Sequence, residues 1–162
     1  MNPLGLREEN ITMEIRRILA PTDFSELSKQ GLKSALELAE AFGAKLLLLY
    51  VVEPPPYPVE GIVPSHLGAT LLNDLERQAT NDLAQMLSET QASKMDVARR
   101  VVVGIPYRKI VDVAEEEKID LIVMTTHGRT GLSHLVMGSV AEKIVRTAPC
   151  PVLTIRPTSL TA

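Results

Sequence analysis

The residues best suited to chemistry lie between Leu121 and Lys143, in the run LIVMTTHGRTGLSHLVMGSVAEK. Thr125-Thr126-His127-Gly128-Arg129-Thr130-Gly131 is a small, polar, glycine-containing turn placed directly after the apolar residues Leu121 to Met124. A second glycine break, Gly138-Ser139, stands directly before Val140-Ala141-Glu142-Lys143-Ile144-Val145, whose pattern is helical. Strand, glycine loop and helix start together aim free backbone N–H groups at an anion. Gly128 and Gly138 let the backbone approach a phosphate closely, and Ser139 has a hydroxyl both to cap the helix and to donate. The chemistry expected here is phosphate binding.

The spacing carries more weight than the glycines themselves. Gly128 and Gly131 alone make a common turn, but Gly128 followed by nine residues and then Gly138-Ser139 is a specific pattern. Other phosphate motifs fail: Gly138 is followed by Ser139 rather than lysine, and no Gly-x-Gly-x-x-Gly occurs. No nucleophile stands beside a base, so no catalytic residue is assigned. His66, His127 and His134 lack zinc-ligand spacing, and Cys150, the single cysteine, reads as a structural thiol. A metal ion, magnesium or manganese, would enter only with the phosphates.

Strands alternating with helices must hold this loop in place. Ile15 to Ala20 reads as a first strand broken by Pro21, after which Ser25 is a helix cap. Leu32, Ala35, Leu36, Ala39 and Phe42 recur at helical spacing up to Gly43. Lys45 to Val52 is a second strand, apolar enough to be covered on both faces. A stiff loop with Pro54, Pro55, Pro56, Pro58 and Pro64 follows, then a long helix over roughly 66–90. Asp96 to Val103 is a third strand, a helix holds Ile110, Val113 and Ala114, and Leu121 to Thr125 is a fourth strand. The helix after Gly138 runs to Arg146, and Pro151 to Arg156 is a fifth strand.

This alternation predicts one α/β domain over 13–158, a doubly wound, Rossmann-like sheet of five parallel strands with helices on both faces. Residues 1–12 read as a mobile N-terminal arm. In the strand order 3-2-1-4-5 the chain reverses between strands one and four, and ligands bind at the carboxyl ends there. Those ends carry Pro21-Thr22-Asp23 and the glycine loop, so topology and loop chemistry select one crevice.

Composition sets the outer limits. A chain of 162 residues, 45% hydrophobic and 23% charged, supports a core without staples. A formal net charge of -3 argues against nucleic acid as a partner. No apolar run approaches the roughly 20 residues that span a bilayer, so no membrane partner is expected and a cytoplasmic location is. With no Trp, three Tyr and two Phe, few rings are available to stack on a base.

ILAPTDFSELS, LLLLYVVEP, VGIPYRKIVDVAEE and THGRTGLSHLVMGSVAEKIVRTAPCPVLTIR together resemble the universal stress protein family over about Arg17 to Arg156. Its ATP-binding signature is Gly-x-x-Gly, nine residues, then Gly-Ser or Gly-Thr; its first glycine falls on Thr125 here, which still offers a hydroxyl. The resemblance implies that Asp23, by its carboxylate, and Val51, by its backbone, hold the adenosine. It implies that Pro21, Thr22 and Met124 line the crevice, and that Gly128, Arg129, Gly138, Ser139 and Val140 surround the phosphates of ATP. From the residues alone, Asp23 also reads as an Asx-turn residue before the first helix, although Ser25 already supplies the cap.

Three functions stay open at this level: an ATP-binding regulatory dimer, a slow ATP-cleaving enzyme, and a nucleotide-free interaction module of the same fold. The dimer is expected through strand Pro151–Arg156, an apolar edge without an internal charge, and the resemblance implies the same homodimer. A further protein partner is not identified by the sequence.

Overall fold

The computed structural model describes residues 13–54, 65–90, 95, 97–127 and 137–156. The predicted arm 1–12, most of the proline-rich loop, and Gly128, Arg129 and His134 lie outside the described residues. Among the described residues five strands and four helices alternate: β1 (Arg17–Thr22), α1 (Glu26–Phe42), β2 (Lys45–Val52), α2 (Ser65–Glu89), β3 (Val97–Val103), α3 (Pro106–Glu116), β4 (Leu121–Thr125), α4 (Ser139–Thr147) and β5 (Val152–Ile155). The strands are all parallel, in the order β3-β2-β1-β4-β5. The expected doubly wound sheet is the fold observed.

Side-chain alternation along the strands builds one core on each face of the sheet. Ile18, Ala20, Leu46, Leu48, Leu121 and Val123 point to one face and pack with Leu32, Ala35 and Ala39 of α1 and Leu83 and Met86 of α2. Leu19, Leu49, Ile122 and Met124 point to the other and pack with Ile110 and Val113 of α3 and Ala141 and Ile144 of α4. All five residues of β4 are buried, which explains its unbroken apolar run. Phe42, expected on the inner face of α1, is instead 52% exposed. Its helix ends one residue later at Gly43, whose φ of 63° is the left-handed cap that glycine adopts readily.

Two boundaries differ from expectation at the site. β1 does not break at Pro21 but continues to Thr22, with Pro21 in register with Leu49. Its pairing with β4 ends earlier, at Ile18↔Leu121 and Leu19↔Ile122. Pro21 therefore lies beyond the last β1–β4 pair, where a missing N–H leaves no gap in that ladder. Ser139 is not the cap of α4; Gly138 occupies that position, with Ser139 as the first helical residue.

Charged groups at the opposite edge of the sheet fasten the connections. The Asp120 carboxylate accepts the backbone N–H groups of Arg16 and Arg17 at 2.8 and 2.9 Å. Arg100 reaches Glu116 and Glu117 at 2.7 and 2.9 Å, so this basic residue is tied to the acidic end of α3. Cys150 is half-buried, and burial, followed by the Asp120 charge, pushes its thiol above the ordinary range. A thiol held protonated is a packing residue.

Candidate functional site at the switch point

Because β1 and β4 stop pairing after two residues, the sheet opens between their carboxyl ends. A cleft of ≈ 370 Å³ occupies that opening. Its size falls within the roughly 300–1,000 Å³ usual for small-molecule sites. Pro21, Thr22 and Asp23 enter from the end of β1, Val51 from β2, Met124 and Thr125 from β4, and Gly138, Ser139 and Val140 from the start of α4. Nine of the eleven residues expected at the site thus surround one cavity; Gly128 and Arg129 are the two outside the described residues.

Each contributes through its local geometry. Asp23 Oδ1 accepts from Ser25 N–H at 3.0 Å and from Ser25 Oγ at 2.6 Å, an Asx turn, while Ser25 Oγ caps α1 by accepting from Ser28 N–H at 3.1 Å. The turn role of Asp23 is therefore real, and it leaves Asp23 on the cleft wall. Thr22 is buried, with its hydroxyl 2.9 Å from Ser28 Oγ and accepting Phe24 N–H at 3.0 Å. That hydroxyl serves the fold of the turn. Thr125 is also buried and donates to the His127 carbonyl at 2.8 Å.

The start of α4 is the anion-seeking end of the cleft. The N-cap of this helix is Gly138, which has no side chain to cap it, and its first residues Ser139, Val140 and Ala141 line the cavity. Its leading N–H groups and the positive end of its dipole are set against the opening. Gly138 donates its N–H to the Thr126 carbonyl at 2.8 Å, and a Cβ on Gly138 would stand 3.2 Å from that same oxygen. Close approach therefore favours glycine here, since φ of −60° would suit any residue.

Several lining residues were not singled out from sequence. Tyr50 and Glu53 lie at the end of β2, Pro106 and Ile110 at the start of α3, and Thr126 and His127 beyond β4. They follow from one rule that was applied too narrowly: every strand of a parallel sheet delivers its last residues to the carboxyl edge. Thr126 Oγ1 and His127 Nδ1 share a hydrogen bond of 2.9 Å, a hydroxyl–imidazole pair not foreseen in the sequence. Among the described residues no three His, Cys, Asp or Glu gather as a metal site.

The universal stress protein family model matches residues 14–156. The chain belongs to this family. Universal stress protein MJ0531 of Methanocaldococcus jannaschii is 35% identical over 144 residues, covering 87% of this chain and 82% of its own. The solved universal stress protein UspA from Lactobacillus plantarum superposes with a TM-score of 0.75 at 28% identity, over 88% of this chain and 99% of that one. A universal stress protein solved in complex with cAMP shares the fold at 24% identity, with a TM-score of 0.65 over 90% and 99% of the two chains. This universal stress protein therefore carries its cleft on the same scaffold as a structure that holds an adenine nucleotide.

Proposed function

We propose that this universal stress protein is a cytoplasmic, ATP-binding regulatory protein that acts as a homodimer in a stress response. One observation carries the reading: the α4 helix start, at Gly138, Ser139 and Val140, lines the same cleft as Asp23. Backbone N–H groups at a helix start suit phosphates, and a carboxylate suits ribose hydroxyls or an adenine amine. Adenosine would lie against Asp23, Val51 and Met124, with phosphates toward Gly138, Ser139 and Val140; Gly128 and Arg129 would complete the phosphate side. Magnesium or manganese would be carried by the phosphates. The adenine nucleotide bound by a relative of the same fold supports the ligand class. Exposed edge strand β5, with Leu153 38% exposed, supports pairing of two copies.

The test is thermal unfolding of nucleotide-stripped protein with magnesium and increasing ATP. At a hundredfold excess over Kd, binding stabilises the fold by about 2.7 kcal/mol. At roughly 2–4 °C per kcal/mol for a chain of this size, Tm should rise by about 5–11 °C. No shift with a verified empty site overturns the reading and favours a nucleotide-free module.

A second reading, slow hydrolysis or transfer from ATP, draws on the Thr126–His127 contact. A hydroxyl bonded to an imidazole beside a phosphate site is the minimal arrangement for base-assisted attack. Products released by the stripped protein after incubation with ATP distinguish the two: ADP or AMP accumulating over many turnovers favours this second reading.

A further inference from the structure

Phe24 adopts φ of 64°, a left-handed backbone conformation that bulky residues seldom take. Among the described residues Lys118 alone of the other non-glycine residues shares a positive φ, in the turn between α3 and β4. Phe24 instead packs on the core directly after Asp23, which lines the cleft. Glycine would take this conformation without strain, so the presence of a ring calls for a reason.

The surroundings supply one. The Phe24 ring lies 4.4 Å, centroid to centroid, from that of Tyr50, with the planes tilted by 38°. Tyr50 is fixed in β2, in register with Thr22, and lines the cleft. The Phe24 N–H donates to the buried Thr22 hydroxyl at 3.0 Å. On the other side, Ser25 holds Asp23 Oδ1 through its N–H and its hydroxyl. The left-handed residue is thus gripped by its backbone, its ring and its following neighbour. That grip sets where the chain leaves β1, and hence where the Asp23 carboxylate sits.

We propose that Phe24 is a positioning residue: stacked on Tyr50, its ring locks the left-handed turn that presents Asp23 to the bound nucleotide. This rests on the ATP reading given above. A glycine at 24 would permit the same turn without holding it.

The experiment is a double-mutant cycle on ATP affinity by calorimetry, with wild type, Phe24→Gly, Asp23→Asn and the double variant. Phe24→Gly should weaken ATP binding about tenfold, the size of one charge-assisted hydrogen bond lost. Acting through Asp23, it should weaken the Asp23→Asn protein by less than about twofold, since coupled residues are not additive. Phe24→Tyr, which keeps the ring, should bind as wild type, and Phe24→Leu covers the case in which the glycine variant does not fold. Independent, multiplying losses from Phe24→Gly and Asp23→Asn would overturn the proposal, as would undiminished binding by folded Phe24→Gly or Phe24→Leu. Wild type that binds no ATP overturns the functional reading itself, and that control separates the two failures.

Discussion

Replacing Gly138 by alanine tests the phosphate placement most directly, because the structure separates its two consequences. The backbone at 138 has φ −60° and ψ 148°, so an L side chain introduces no dihedral strain. Space is the constraint: the new Cβ would stand 3.2 Å from the Thr126 carbonyl oxygen and 3.8 Å from His127 Cα. The Thr126 carbonyl is also the acceptor for Gly138 N–H at 2.8 Å, so relief by movement strains that bond. Overpacking of this kind costs about 1–3 kcal/mol, which lowers Tm by roughly 2–12 °C at 2–4 °C per kcal/mol. A protein with about 5–15 kcal/mol of stability stays folded through a loss of this size. Any fall in affinity then reports the site rather than the folded fraction. Displacing the α4 start by a few tenths of an ångström should cost one charge-assisted hydrogen bond to phosphate, about tenfold or more in Kd. Gly138→Val adds further bulk beside the same carbonyl, so fold and binding fall together and the valine variant is the poorer probe. Calorimetry with ATP gives the affinity, and urea unfolding without nucleotide gives the stability. Folded Gly138→Ala that binds ATP within about twofold of wild type would show that the phosphates lie elsewhere, since the expected loss is about tenfold.

Turnover of ATP should stay below about 1 s⁻¹, the low end of ordinary enzymes, and His127→Ala should remove what residual hydrolysis there is; phosphate release in a coupled assay decides it. Leu153→Asp should shift the proposed dimer toward monomer in sedimentation, because Leu153 is exposed on edge strand β5. Val152 is the poorer place for that charge, since it packs partly buried against the core beneath α3 and α4, where a charge also destabilises the subunit. Gly31→Ala should destabilise by about 1–3 kcal/mol in urea unfolding, and Thr125→Ser should restore part of that, because the added Cβ would stand 3.2 Å from Thr125 Cγ2.

Strand order and the cleft were legible because they rest on periodicity and topology, which act over many residues at once. β4 with its unbroken apolar run and β2 bounded by Gly43 and Glu53 admit one reading each. Ends were harder. Pro21 signals a break by its missing N–H, yet the β1–β4 ladder has already finished there, and only the register reveals it. Ser139 signals a cap by its hydroxyl, but the close approach of Thr126 places Gly138 at that position. Thr126–His127 was invisible for another reason: adjacent residues in a loop meet only if the backbone turns them together. Phe24 gives no sequence sign of its left-handed φ, because nothing in its type favours it.

Thr125 shows how the chain is held as it leaves β4. Its methyl would meet a Cβ at Gly31 at 3.2 Å, and its backbone N would meet it at 3.3 Å. Gly31 lies on the buried face of α1, so the helix approaches the end of β4 where Thr125 sits. Gly31 leaves room for the Thr125 side chain against α1. Thr125 then adds a bond of its own, Oγ1 to the His127 carbonyl at 2.8 Å, which ties the chain as it leaves β4. From the opposite side Gly138 brings the start of α4 to the Thr126 carbonyl. Two glycines distant in sequence, one on α1 and one before α4, thus let two helices close on the same three-residue turn. Thr125 helps to tighten the turn, and the helix start lines the cleft.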